Sequence, residues 1–215
     1  MSLLLAALLA LAASCNKPGQ AGNAGAQWRD ALAPRAAVPA DNPLIRYDKL
    51  KLGMSEFELA QAYNAPQGQG AGFTRVLQRF DAVSIHTIKF EDRAGEPSRV
   101  MLLEFYRDQL CRIVDRRDGV SAKQGGAWLG ECKRRYGEPT SQPVPGAQWS
   151  WGERDGVLLT YTQDNASEKA MSANVVLVHQ PALDAAQSYL VQWEQAHPEP
   201  PAPGPGQEQH AKPPG

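Results

Sequence analysis

Leu52-Gly53-Met54-Ser55-Glu56-Phe57-Glu58-Leu59 is the stretch on which the fold turns. Ser55, with Glu58 three positions on, forms a capping box, and Met54 can staple onto Leu59, so a helix starts here. It runs to about Tyr63; Asn64 tolerates the left-handed conformation that ends a helix, and Pro66 prevents continuation. Seventy-three residues after Gly53, Gly126-Ala127 precedes Trp128, Leu129, Cys132 and Tyr136, a stripe at helical spacing. Tyr63-Asn64-Ala65-Pro66 and Tyr136-Gly137-Glu138-Pro139 match in order and spacing, which reads as a duplicated unit. The alternative is chance, since Gly and then Pro end many helices.

Strand-like segments follow each helix. After the first come Val83 to Phe90, Arg99 to Tyr106 and Leu110 to Val114; after the second, Gln148 to Trp151, Val157 to Thr162 and Asn174 to His179. Arg93-Ala94-Gly95, Arg107-Asp108 and Arg154-Asp155-Gly156 supply the turns. The expectation is an α+β fold, a duplicated helix-plus-antiparallel-strands unit with the helices on one face of the sheet. The repeats span about 48–115 and 121–180 in a domain of 42–197, closed by a helix from Leu183 to Ala196.

Outside that domain the composition changes. Leu3 to Ala13 is an uncharged run of Leu and Ala, too short for a spanning helix, which needs about 20 apolar residues. Residues 1–14 read as a signal peptide. Residues 15–41, rich in Ala, Gly, Pro and Gln, read as a flexible tether, and 198–215, with Pro-Ala-Pro-Gly-Pro-Gly, as a disordered tail. Leu11-Ala12-Ala13-Ser14-Cys15 resembles the lipobox of bacterial lipoproteins. That resemblance implies diacylglycerol on the Cys15 thiol, cleavage before it and acylation of the new amino terminus. Asn16 in place of Asp then implies sorting to the outer membrane. An ordinary secretory signal with an incidental cysteine, or a buried N-terminal helix, is the other reading.

The Gly-Met-Ser helix start, the Tyr63-to-Pro66 ending and the strand residues Glu104 to Leu110 resemble the SmpA/OmlA-type small outer-membrane lipoproteins. The doubled unit is similar to the tandem fold of secreted beta-lactamase-inhibitor proteins. These resemblances imply a non-catalytic module that binds an envelope protein from a membrane-anchored position facing the periplasm. The expected partners are the membrane, through lipid on Cys15, and a protein.

The 22 Lys and Arg nearly cancel the 23 Asp and Glu among 215 residues, so no field draws the chain to nucleic acid. His86, His179, His197 and His210 are scattered, and no metal, cofactor or triad spacing occurs. No enzyme is expected; the alternative is a hydrolase of cell-envelope polymers whose site no motif reveals. Cys111, on the strand face of Ile113, and Cys132, on the apolar helix stripe, can form a disulfide in an oxidising compartment, contributing about 3 kcal/mol. Two separate buried thiols are the other reading. Trp149 and Trp151 share a strand face, where they serve either as aromatic anchors of a binding surface or as core.

Overall fold

The computed structural model describes residues 34–63, 73–91, 94–144, 146–152, 154–164 and 171–198. Cys15, the signal-peptide segment, Asn64, Pro66, His210 and nearly all of the tail lie outside these residues. The described elements are β1 (Arg46–Tyr47), β2 (Leu50–Lys51), α1 (Glu56–Tyr63), β3 (Phe73–Phe80), β4 (Val83–Lys89), β5 (Ser98–Tyr106), β6 (Leu110–Val120), α2 (Ala122–Tyr136), β7 (Gln148–Gly152), β8 (Val157–Asp164), β9 (Met171–His179) and α3 (Gln180–Ala196). The fold is α+β. β1 and β2 form a hairpin, and the other seven strands form one antiparallel sheet in the order β3-β4-β5-β6-β9-β8-β7.

The helix starts are built alike. The Ser55 amide donates to Glu58 Oε2 (2.7 Å) while the Glu58 amide donates to Ser55 Oγ (3.2 Å). Ser121 and Gln124 repeat this reciprocal box at α2. Ahead of α1, Gly53 takes φ +86°, a conformation that favours glycine, and its amide donates to the Leu110 carbonyl at the start of β6. Tyr63 and Tyr136, at the ends of the two helices, both turn their hydroxyls to the β1–β2 hairpin. One donates to Asp48 Oδ2 (3.4 Å), the other to the Arg46 carbonyl (2.8 Å).

The larger apolar cluster gathers Leu59 and Tyr63 of α1 and Trp128 and Cys132 of α2 against Met101, Leu103, Phe105, Ile113, Leu159, Tyr161, Val175 and Leu177 of the sheet. Trp128 and Trp149 both contact the Tyr161 ring, with centroids at 5.5 and 5.6 Å. α2 begins six residues before the stripe at Trp128. Gly125 and Gly126 disguise that first turn, and Gly125 is there for close approach: an added Cβ would meet Gln163 Oε1 at 3.2 Å, and the Tyr161 hydroxyl donates to the Gly125 carbonyl. A smaller cluster on the other face packs Ala182, Ala186 and Tyr189 of α3 against Val83, Tyr106 and Cys111. α1 and α2 thus share one face, and the closing helix takes the other.

Two features escape the pattern of apolar residues. β3 mixes Thr74, Arg75, Gln78 and Arg79 with its apolar residues and shifts register between Val76 and Gln78, so no period of two survives at this sheet edge. The domain also begins before Asn42. Ala36 and Val38, which composition places in the tether, pack against the smaller and larger clusters respectively.

Candidate functional site

The residues between the buried positions decide what the sheet offers to solvent. β5 carries Val100-Met101-Leu102-Leu103 and β9 carries Val175-Val176-Leu177-Val178, runs that are apolar on both faces. Met101, Leu103, Val175 and Leu177 are buried under α1 and α2, so Val100, Leu102 and Val176 point the other way. The ladder aligns these outward residues. Leu102 pairs with Val114, Val114 with Val176, and Val176 with Thr160, one row across β5, β6, β9 and β8. All four are half-buried.

A parallel row reads Val100, Arg116, Asn174 and Thr162, and another reads Glu104, Arg112, Val178 and Leu158. α3 lies on the same face, against β4, β5, β6 and β9, and bounds the open area. Glu104 and Val178 of the last row are buried; with strands about 4.8 Å apart and same-face residues about 7 Å apart along a strand, the two open rows span a footprint on the order of 250 Å². At its centre Val100, Leu102, Val114 and Val176 adjoin one another, a half-exposed aliphatic group that makes this face the candidate contact surface.

The charges on the patch are paired among themselves. Arg116 Nε donates to both oxygens of Asp118 at 3.0 Å, and an Arg112 nitrogen lies 3.8 Å from Glu104 Oε2. Burial holds the Glu104 carboxyl above the ordinary carboxylate range, with Arg112 opposing. The surface is therefore aliphatic and hydroxylic at its centre and close to neutral at its edge.

Comparison with known proteins adds no relative. The chain matches no protein-family model, no curated protein and no solved structure.

The cysteine pairing expected from alternation is not formed: Cys111 and Cys132 are both free and buried. The ladder shifts between Glu104 and Phe105, pairing them with Arg112 and Leu110, so Cys111 is the extra residue of a bulge. The bulge turns its side chain to the α3 face, where its thiol donates to the Glu104 carbonyl (3.2 Å). Cys132 sits on the opposite side of the sheet. Trp149 and Trp151 are also corrected as a binding surface. Both lie in the larger cluster, with only 9% and 1% of their surfaces exposed, and Trp151 Nε1 donates to the Gly137 carbonyl (2.7 Å).

One Ser, His and Glu constellation assembles where the sequence shows no motif. Ser84 Oγ donates to Glu56 Oε1 (2.6 Å), His86 Nε2 lies 3.2 Å from Ser84 Oγ and 3.4 Å from Glu56 Oε2, and Arg79 pairs with Glu56. A nucleophile relay needs one imidazole nitrogen on the hydroxyl and the other on the carboxylate. Here a single nitrogen faces both, and the serine proton is held by the carboxylate. The cluster pins α1 to β4. Among the described residues no three His, Cys, Asp or Glu side chains converge to hold a metal ion, and no helix is long and apolar enough to cross a membrane.

The patch residues lay hidden in plain sight. Runs apolar on both faces of β5 and β9 were the available signal, since a strand with one solvated face alternates.

Proposed function

We propose that this chain is a lipid-anchored envelope lipoprotein that works as a non-catalytic protein-binding module, with the open sheet face as its contact surface. The observation that carries this reading is the row Leu102, Val114, Val176 and Thr160, half-exposed and in register across four strands. The occupant is a folded envelope protein presenting an uncharged, apolar strip, because Arg112 and Arg116 already have their counter-charges on the same face. The helix-start motif around Gly53 supports kinship with SmpA/OmlA-type lipoproteins, and the matching helix ends at Tyr63 and Tyr136, both bonded to the β1–β2 hairpin, support a duplicated unit over about 48–115 and 121–180. Cys15, following small residues and an apolar run, supports the lipid anchor, and Asn16 in place of Asp supports the outer-membrane, periplasm-facing location.

The test places a photo-cross-linking residue at Val114 or Thr160, or at Gln187 on the exposed side of α3 as a control, in living cells. One and the same protein, captured from the first two sites and absent from the third, is expected. Adducts only to a second copy of this chain, or equal capture from Gln187, would overturn the docking face.

A further inference from the structure

On the face covered by α1 and α2, a cleft of about 190 Å³ lies between the β1–β2 hairpin and the last turns of α2. Tyr47 and Asp48 come from the hairpin, Arg99 and Arg117 from β5 and β6, and Trp128, Arg135 and Tyr136 from α2. Beneath it lies the carboxylate of Asp115, fully buried. That carboxylate is committed elsewhere: it accepts from the Tyr47 hydroxyl (2.8 Å), from Arg99 Nη2 (2.8 Å) and from Arg99 Nε (3.1 Å to each oxygen).

Arg117 is left with little. Its guanidinium stacks 3.7 Å from the Trp128 ring centre, its nearest carboxylate oxygen is Asp115 Oδ2 at 3.6 Å, and its buried Nε has no hydrogen-bond partner among the described residues. A guanidinium carries five N–H donors in a planar fork that matches a carboxylate. Here the guanidinium is held flat on an indole at the wall of a cleft; Nε is buried and one Nη faces Asp115, so the part of the side chain left exposed, 28%, is what a ligand can meet. Arg135, exposed at the rim, has no ion pair among the described residues.

We propose that this cleft binds a small organic monocarboxylate, its charge on Arg117 and Arg135 and its apolar body between Trp128 and Tyr136. Asp48 and Glu131, which also line the cleft, disfavour a second negative charge and so exclude phosphate dianions. The volume suits one ring or a short aliphatic chain. A free acid and the C-terminal carboxylate of a short peptide present the same chemistry to the fork.

The test is calorimetric titration of the purified full chain with benzoate, its neutral isostere benzamide, phenyl phosphate, and N-acetyl-glycyl-phenylalanine with a free carboxylate. Benzoate is expected to bind saturably, and benzamide and phenyl phosphate about tenfold more weakly or not at all. Arg117→Lys, which keeps the charge and loses the fork, should weaken benzoate by about tenfold, and Arg135→Gln by a few-fold, the latter with unchanged thermal unfolding. The dipeptide binding more tightly than benzoate assigns the ligand to a peptide terminus; the reverse assigns it to a free acid, and either upholds the site. No saturable binding of either carboxylate, or benzamide equal to benzoate, would overturn it. Should Arg117→Lys fail to fold, Arg135→Gln decides alone: unchanged affinity rejects the proposal. The docking face lies on the opposite side of the sheet, so cross-linking from Val114 stands or falls separately.

Discussion

The hydroxyl of Tyr47 donates a 2.8 Å hydrogen bond to Asp115, 68 positions later in the chain. This contact ties the N-terminal hairpin to the central strand β6, and Arg99 extends it by bridging Asp115 to Asp48 of the same hairpin. Burial and the Asp115 charge push the Tyr47 phenol well above its ordinary range, so it stays a donor at any working pH. Tyr47→Phe removes one hydrogen bond to a charged acceptor and should cost about 1.5–3 kcal/mol. Asp115→Asn leaves Arg99 and Arg117 without their shared buried counter-charge and should cost more, about 3–5 kcal/mol. Urea unfolding of the two variants checks the order; Asp115→Asn milder than Tyr47→Phe would contradict it.

Both internal cysteines should be found as free thiols. Burial first, and nearby carboxylates second, push the Cys132 thiol up to about 12 and Cys111 higher still, so neither is a thiolate at neutral pH. Iodoacetamide should leave both unmodified in the native protein and alkylate both in urea without prior reduction, as read by peptide mass spectrometry. Reductant should leave the unfolding midpoint unchanged. A Cys111–Cys132 linked peptide would place the bulge of β6 wrongly.

Stability should rise with pH through the histidine range. Burial holds the imidazoles of His86 and His179 below the ordinary value of 6.5; at His86 the Glu56 charge opposes this and Arg79 reinforces it. As pH falls below 6.5 the unfolded chain takes up protons that the folded chain refuses, so folding stability is lost across the window from 6.5 down to the folded values. Glu56 continues the trend at lower pH. Although burial raises its carboxyl, hydrogen bonds from Ser84 and Arg79 and the charges of His86 and Arg79 leave it below 4.5, so its contribution is lost as pH falls through the folded value. Glu104, raised by burial, has the opposite sign above 4.5 and is removed by Glu104→Gln. In that background the denaturation midpoint should climb between about pH 5 and 7, and a His86→Gln, His179→Gln pair should flatten the climb. An unchanged slope in the paired variant would show that other groups set it.

Adjacent residues of β6 should separate stability from binding. Ile113→Ala removes a fully buried side chain from the larger cluster and should cost about 2–4 kcal/mol. Val114→Lys, one residue on and pointing to the open face, should cost less than about 1 kcal/mol and abolish cross-linking from Thr160. Thermal unfolding and the in-cell adduct, measured together, check the pair; an intact adduct in Val114→Lys would move the contact surface elsewhere.

Cys15→Ala tests the anchor. Each buried methylene contributes about 0.8 kcal/mol, so loss of the acyl chains should shift the protein from the membrane to the soluble fraction and end labelled-palmitate incorporation. Retention of both would exclude lipid on Cys15.

Much of this molecule was legible from local chemistry. The capping box of Ser55 and Glu58 stands where the sequence places it, six of the seven strands of the large sheet are found, and the α+β class follows from them. These features depend on residues a few positions apart: a hydroxyl and a carboxylate one helical turn away, or side chains alternating along one strand. What the tertiary structure decided depends on register between distant segments. One extra residue at Cys111 reverses the face of that thiol and removes the disulfide; β3 exists because β4 offers it an edge; and the open row at Leu102, Val114, Val176 and Thr160 appears only when four strands are aligned. Tyr47, Arg99, Asp115 and Arg117 carry no spacing that marks them as a cluster. They meet because a buried carboxylate needs donors, and only the closed hairpin and sheet bring those donors within hydrogen-bond reach.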